Sequence, residues 1–215
     1  MIKGVLFDLD GTIIDSAPSI IRCFEKTFAD LFPEVVLTEE EKLSFLGPTL
    51  VQTFSKYTDD MDYVYKAFDH YVMHSTLEHD NDMIPAFPNA EAILKRLKEK
   101  GYKVGLVTSK KNNMAKRGLE NNGLLKYIDI LVGFDNVKNH KPAPDSLLKA
   151  CDMLNLKPNE LIYVGDHVND IIAAKRANMK SVGVEFSHNI DKLKLENPDY
   201  IIKDLLDILE IVKEK

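Results

Sequence analysis

Two aspartates stand two residues apart near the start of the chain, in Phe7-Asp8-Leu9-Asp10-Gly11-Thr12, directly after the apolar run Val5-Leu6-Phe7. Residues 2–9 are too few for an ordinary helix and rich in strand formers, which predicts a buried strand. In extended backbone residues i and i+2 share a face, so Asp8 and Asp10 point the same way at the strand's carboxyl end. Paired carboxylates there can hold a hard cation, and one of them can attack an electrophile. Gly11 lets the backbone turn sharply or approach a ligand, and Thr12 adds a hydroxyl that can cap or donate. An acidic Asx-type turn accounts for the same residues, so the remaining chain has to decide.

The elements that position this stretch follow from periodicity. Asp15-Ser16-Ala17-Pro18 is a helix start with Ser16 as N-cap, and Ile20, Ile21, Phe24, Phe28 and Leu31 recur at helical spacing up to Pro33. Thr38-Glu39-Glu40-Glu41 reads as a capping box, and Tyr63, Ala67, Phe68, Tyr71 and Val72 form an apolar stripe. From Pro85 the rhythm changes to helix 88–100, strand 102–108, helix 113–122, strand 128–132, helix 144–155, strand 161–165, helix 168–178 and strand 181–184. This alternation predicts an α/β fold, a Rossmann-like parallel sheet with helices on both faces. Residues 1–15 and 81–215 form that core, and 16–80 a small all-helical cap inserted after the first strand, with linkers near Asp15 and Pro85. The stretch 203–215 reads as a last amphipathic helix.

In open parallel sheets ligands bind at the carboxyl ends of the strands. There the chain puts Thr108-Ser109-Lys110, Gly165-Asp166 with Asn169 and Asp170 beyond, and, after the third strand, Lys141-Pro142. Turn chemistry explains any one of these strand ends but not the combination. A phosphate monoester needs such a set. Asp8 can attack phosphorus, and Asp10 can protonate the leaving oxygen and later deprotonate a water. Magnesium, which keeps several waters, is satisfied by Asp8, the backbone carbonyl of Asp10 and Asp166. Thr108 can donate to a nonbridging oxygen, and Lys141 can neutralise charge on the transferring group.

With these residues in view, the chain resembles the haloacid dehalogenase superfamily of phosphohydrolases over nearly its whole length. The likeness rests on Asp8-Leu9-Asp10-Gly11-Thr12, Thr108-Ser109, Lys141-Pro142-Ala143-Pro144-Asp145 and Gly165-Asp166-His167-Val168-Asn169-Asp170, in the family's order and spacing. It implies Asp8 as nucleophile, Asp10 as acid/base, Lys141 as electrostatic anchor, and Thr108, with Ser109, Gly11 and Thr12 around it, as phosphate binder. It also implies Asp166 as magnesium ligand, with Asp8 and Asp10 and with Asp170 in support. The dehalogenases resemble this chain only without a second acid at Asp10, which favours a phosphatase. His167 departs from the small hydroxyl residue of many relatives, and Asn178 from a common glycine.

The expected function is magnesium-dependent hydrolysis of a small phosphorylated metabolite, in the manner of phosphoglycolate phosphatases. The alternatives are a phosphomutase of the β-phosphoglucomutase type, a pyrophosphatase or nucleotidase, and a catalytically silent phosphate-binding regulator. Composition agrees: 215 residues, 45% hydrophobic and 29% charged, make a soluble globular chain, and a net charge of −6 argues against nucleic acid or anionic membrane as partner. No apolar run is long enough to span a membrane, no signal peptide opens the chain, and Cys23 and Cys151 lie in separate helices, so the expected setting is the cytoplasm, as monomer or homodimer.

Specificity is expected from the cap, whose Leu46-Gly47-Pro48-Thr49-Leu50 resembles a loop of phosphoglycolate phosphatases and related pyrophosphatases and also fits a plain helix-to-helix turn. Arg22 is a candidate for a substrate anion, weighed against an ordinary surface arginine. His70 and His74 share a helix face, with His79 further on, but the sequence supplies no acidic partner for a metal. Lys110-Lys111 and Lys116-Arg117 read as a solvated face.

Overall fold

The computed structural model describes residues 1–81 and 84–213, with the side chains of residues 79–81 excepted. The strands are β1 (Gly4–Phe7), β2 (Lys103–Val107), β3 (Ile130–Val132), β4 (Leu161–Gly165), β5 (Lys180–Val184) and β6 (Tyr200–Ile202). They pair in parallel in the order β3-β2-β1-β4-β5-β6. Strand order reverses between β1 and β4, and a sheet of this kind opens its binding crevice at the carboxyl ends there.

Period-two alternation explains why helices cover both faces. Val5 and Phe7 of β1, Val104 and Leu106 of β2, and Ile162 and Val164 of β4 share one buried cluster. Leu6, Val107, Leu161 and Tyr163 belong to a second, on the opposite face. Five helices follow the strands: α5 (Ala90–Glu99), α6 (Asn112–Asn121), α7 (Asp145–Leu154), α8 (Val168–Arg176) and α9 (Ile190–Leu195). α5 and α6 send Ile93, Leu94, Leu97, Ala115 and Leu119 into the first cluster. α7 and α8 send Leu147, Ala150, Ala173 and Ala174 into the second. A sheet buried on both faces reads as continuous apolar runs, which is why the strands stand out in the sequence.

Between β1 and α5 lie α1 (Ala17–Leu31), α2 (Glu39–Ser44), α3 (Leu50–Phe54) and α4 (Met61–Asn81). Their apolar stripes close on a separate cluster of Cys23, Phe24, Phe28, Phe45, Phe54 and neighbours. Its rings are tightly spaced, with Phe24 and Phe45 at 4.6 Å and Phe28 and Phe45 at 5.5 Å between centroids. The chain enters and leaves this helical layer by two adjacent segments, Asp15 N–H donating to Pro85 O (2.8 Å) and Phe87 N–H to Ile13 O (2.9 Å).

Two local expectations change. Ser16 stands at the N-cap of α1, but its buried hydroxyl makes no capping bond and finds no partner among the described residues. Thr38 does form the expected capping box with Glu41. The expected long C-terminal helix is only α10 (Ile208–Ile211) behind a 3-10 turn at Leu205–Asp207. The chain just before it adds β6 to the edge of β5, and Asp204 then caps Leu206 N–H at 2.8 Å, so the helix starts late.

Candidate active site

Asp8 continues β1 by donating its backbone N–H to Val164 O (2.8 Å), and its side chain is buried. Lys141, arriving from the loop after β3, spends its three donors on Asp8 Oδ1 (3.0 Å), Asp170 Oδ1 (2.6 Å) and the Tyr163 hydroxyl (2.9 Å). Tyr163 reaches this junction from the middle of β4 and donates to the Val107 carbonyl at 2.9 Å. A tyrosine in a fully buried strand must find such partners. That was the available signal for a residue sequence reasoning missed.

Asp170 is held at its second oxygen as well, accepting the His167 N–H at Oδ2 (2.9 Å). His167 in turn accepts the Asn169 N–H at Nδ1 (3.1 Å). It thus caps α8 as a serine or threonine commonly does, so this departure from the expected hydroxyl leaves Asp170 locked in place. Asn178 adopts φ 54°, the left-handed conformation in which asparagine substitutes for glycine.

Oxygens of Asp8, Asp166 and Asp170 lie within 4.8 Å of one another. Burial pushes the Asp8 carboxyl up to about 7, against the pull of Lys141. Burial, then Asp170 and Asp8, drives Asp166 well above the carboxylate range. Burial also opposes the charge on Lys141, but Asp170 and Asp8 outweigh it and hold the ammonium protonated. Two buried acids, Asp8 and Asp170, and the half-buried Asp166 crowd around this one lysine, which bonds only the first two, and a hard, oxygen-loving divalent cation would relieve that crowding of carboxylates, so the donor set fits magnesium. Gly11, at φ 78°, permits this convergence, since a Cβ there would stand 2.3 Å from Asp166 Oδ2.

The Asp10 carboxylate is held by a different lysine, accepting from Lys110 Nζ at 2.8 Å. Lys110 therefore is not the solvated residue expected: its side chain is 13% exposed and it links the carboxyl ends of β1 and β2. Thr108 is buried beside it, its Oγ1 accepting the Lys110 N–H at 3.2 Å, and the Thr12 hydroxyl reaches Asp166 Oδ1 at 3.4 Å. Asp8, Asp10, Thr108, Ser109 and Lys110 form the floor of a cavity of about 100 Å³ roofed by the helical layer.

Residues 5–184 match the family model of haloacid dehalogenase-like hydrolases. The chain belongs to that family. This hydrolase is 36% identical over 213 residues to a pyrophosphatase PpaX of Oceanobacillus iheyensis, covering 98% of this chain and 97% of that protein. It is 33% identical over 219 residues to the pyrophosphatase PpaX of Listeria monocytogenes, covering 100% and 98%. Its fold superimposes on the crystal structure of β-phosphoglucomutase from Clostridium difficile with a TM-score of 0.86 at 24% identity, covering 99% and 96%.

The roof of the hydrolase's cavity is mostly apolar, including Phe24 of α1, Leu50 of α3, and Phe68 and Tyr71 of α4, with Gly47 and Pro48 between them. Gly47 takes φ 108°, and a Cβ there would fall 2.4 Å from Cγ of His167, so the loop before α3 rests directly on the residue that caps α8. Lys111 crosses from the core to sit 4.6 Å over the Phe68 ring. Arg22 does not turn to this cavity: it donates to Glu78 Oε2 from Nε (2.9 Å) and Nη2 (2.7 Å). The side chain of His79 lies outside the described residues. No described helix is long and apolar enough to cross a membrane.

Proposed function

We propose that this hydrolase is a magnesium-dependent phosphatase of small phosphorylated metabolites, working through a phosphorylated Asp8. The observation that supports this reading is one buried carboxylate, Asp8, fixed by Lys141, with a second acid, Asp10, two residues on and tethered separately by Lys110. The two acids are thereby given different surroundings and different tasks.

Because Lys141 engages Oδ1, Asp8 attacks phosphorus with Oδ2. The phosphorus–oxygen bond to the leaving group breaks, and Asp10 gives that oxygen its proton. Water then attacks the aspartyl phosphate, Asp10 takes the proton, and orthophosphate leaves with the Asp8 carboxylate restored. Lys141 and the Thr108 hydroxyl offset charge on the phosphoryl oxygens. Asp8, Asp166 and the Asp10 carbonyl would hold magnesium, supported by Asp170, and the cation would supply positive charge that eases the approach of one anion to another. Residues 16–80 act as the cap, with hinges near Asp15 and Pro85 governing access.

Pyrophosphate is a second substrate to weigh, since full-length relatives carry the name pyrophosphatase. A panel of phosphoglycolate, pyrophosphate, nucleotides and a hexose phosphate, assayed with magnesium for free phosphate and for isomerised product, tests both readings. Phosphate release that vanishes in Asp8→Asn is expected. Unchanged turnover in that variant overturns the assignment, and an isomerised sugar with little free phosphate would make the protein a mutase.

A further inference from the structure

A second cluster of metal-ligating side chains lies in the helical layer, apart from the acidic site. His70 and His74, one turn apart on α4, face Asp30 near the end of α1, and their ligand atoms all lie within 4.8 Å of one another. His70 Nε2 is 3.2 Å and His74 Nε2 3.9 Å from Asp30 Oδ2. Ligands at about 2.0–2.1 Å from a tetrahedral zinc ion stand about 3.3 Å apart, so the His70 separation fits a coordination edge and His74, at 3.9 Å, has to close in on the carboxylate.

Two further observations point to a bound ion. The Nε2 atom of His74 is buried and has no hydrogen-bond partner, an arrangement that costs free energy unless something occupies it. The other concerns the tautomer of His70. Thr27 spends its only proton on the Cys23 carbonyl at 2.9 Å, so towards His70 Nδ1, 3.5 Å away, its oxygen can only accept. A proton on Nδ1 satisfies that contact and leaves Nε2, 3.2 Å from Asp30 Oδ2, as the ring nitrogen available to a metal. Fixing the tautomer from behind is also what outer partners of metal-bound histidines do.

We propose that Asp30, His70 and His74 form a zinc-type transition-metal site that fastens α1 to α4. Two imidazoles and one carboxylate select a borderline metal over magnesium, and three protein ligands leave a fourth position for water. The side chain of Asp30 is 59% exposed, so the ion enters from solvent. Helices α1 and α4 carry Phe24, Phe68 and Tyr71 of the cavity roof, so the ion would brace the wall above the acidic site.

The test uses the full chain, stripped with a chelator and titrated with zinc under excess magnesium, with bound metal counted by atomic absorption. The wild type is expected to bind one zinc equivalent more than Asp30→Asn, whose exposed position leaves the packing intact, and more than a His70→Ala/His74→Ala double variant. X-ray absorption on the wild type should show imidazole scattering absent from the variants. Thr27→Val, which removes the outer partner together with its bond to the Cys23 carbonyl and leaves the three ligands, should weaken zinc by about 10–100-fold. Equal zinc uptake and affinity in wild type and variants, or no zinc-specific uptake in the wild type, overturns the proposal and leaves an ordinary protonated histidine–aspartate pair.

Discussion

Asp8→Asn should make the metal-free protein more stable while removing its activity, and the stability gain should depend on pH. In the folded chain the Asp8 carboxyl keeps its proton up to about 7, whereas its ordinary value is 3.8. The unfolded chain therefore gives up this proton first as pH rises, so the folded state binds more protons between these values and stability falls across that window. At about 1.4 kcal/mol per pH unit, ionised Asp8 opposes folding by about 4 kcal/mol above pH 7. Asparagine has nearly the shape of the protonated acid and carries no charge, so it escapes the cost. Urea unfolding in EDTA, from pH 4 to 8, should show the two proteins nearly equal at the acid end and the variant ahead by up to about 4 kcal/mol at pH 8. Part of that gain comes through Asp166, whose own carboxyl is pushed up partly by Asp8. Magnesium should narrow the gap by stabilising the wild type. A difference that stays flat from pH 4 to 8, or an Asp8→Asn protein that is less stable at pH 8, refutes this account of the buried acids.

Lys110→Met frees the Asp10 carboxylate from its 2.8 Å partner. With a charge-assisted bond worth about 1.5–3 kcal/mol, kcat on a generic phosphate ester should fall by about tenfold or more, with partial recovery in Lys110→Arg. Gly47→Ala sets a methyl against His167 in a backbone conformation that alanine resists, at a cost of about 1–3 kcal/mol in thermal or urea stability and with a lower kcat/KM. His167→Ala should relieve the steric part of that cost, so the double variant should be less destabilised than the sum of the singles. Glu78, whose bonds from Arg22 and Lys26 hold its pKa below the ordinary 4.5, stabilises the fold above that value, and this contribution is lost as pH falls through the depressed value. Because its cations are half exposed, Glu78→Gln should cost about 1 kcal/mol at pH 7, a deficit that shrinks under acid unfolding below pH 4.5.

The sequence alone determined the sheet and the residues on its carboxyl rim. Strands buried on both faces must be short apolar runs, and the helices between them must show one apolar stripe, so β1, β2, β4 and β5 and the helices α5 to α8 could be read directly. Asp8, Asp10, Thr108 and Asp166 could be placed on the rim because residues at strand ends inherit their position from the strand, whereas Lys141 lies in the loop beyond β3 and only its motif pointed there. Tertiary structure decided which side chains meet. Lys110 read as solvent-facing because a lysine pair in sequence says nothing of an acid 100 residues away, and only the pairing of β1 with β2 brings it to Asp10. Tyr163 read as plain strand because its hydroxyl finds Lys141 and Val107 across three separate segments. Arg22 was open to either reading until Glu78, 56 residues on, claimed it. His70 and His74 lacked an acid in the sequence because Asp30 comes to them only when α1 packs on α4. Periodicity records how much of each residue is buried, a local property of the chain. The identity of its partner depends on contacts between segments far apart in sequence, which close only when the sheet and the helical layer are assembled.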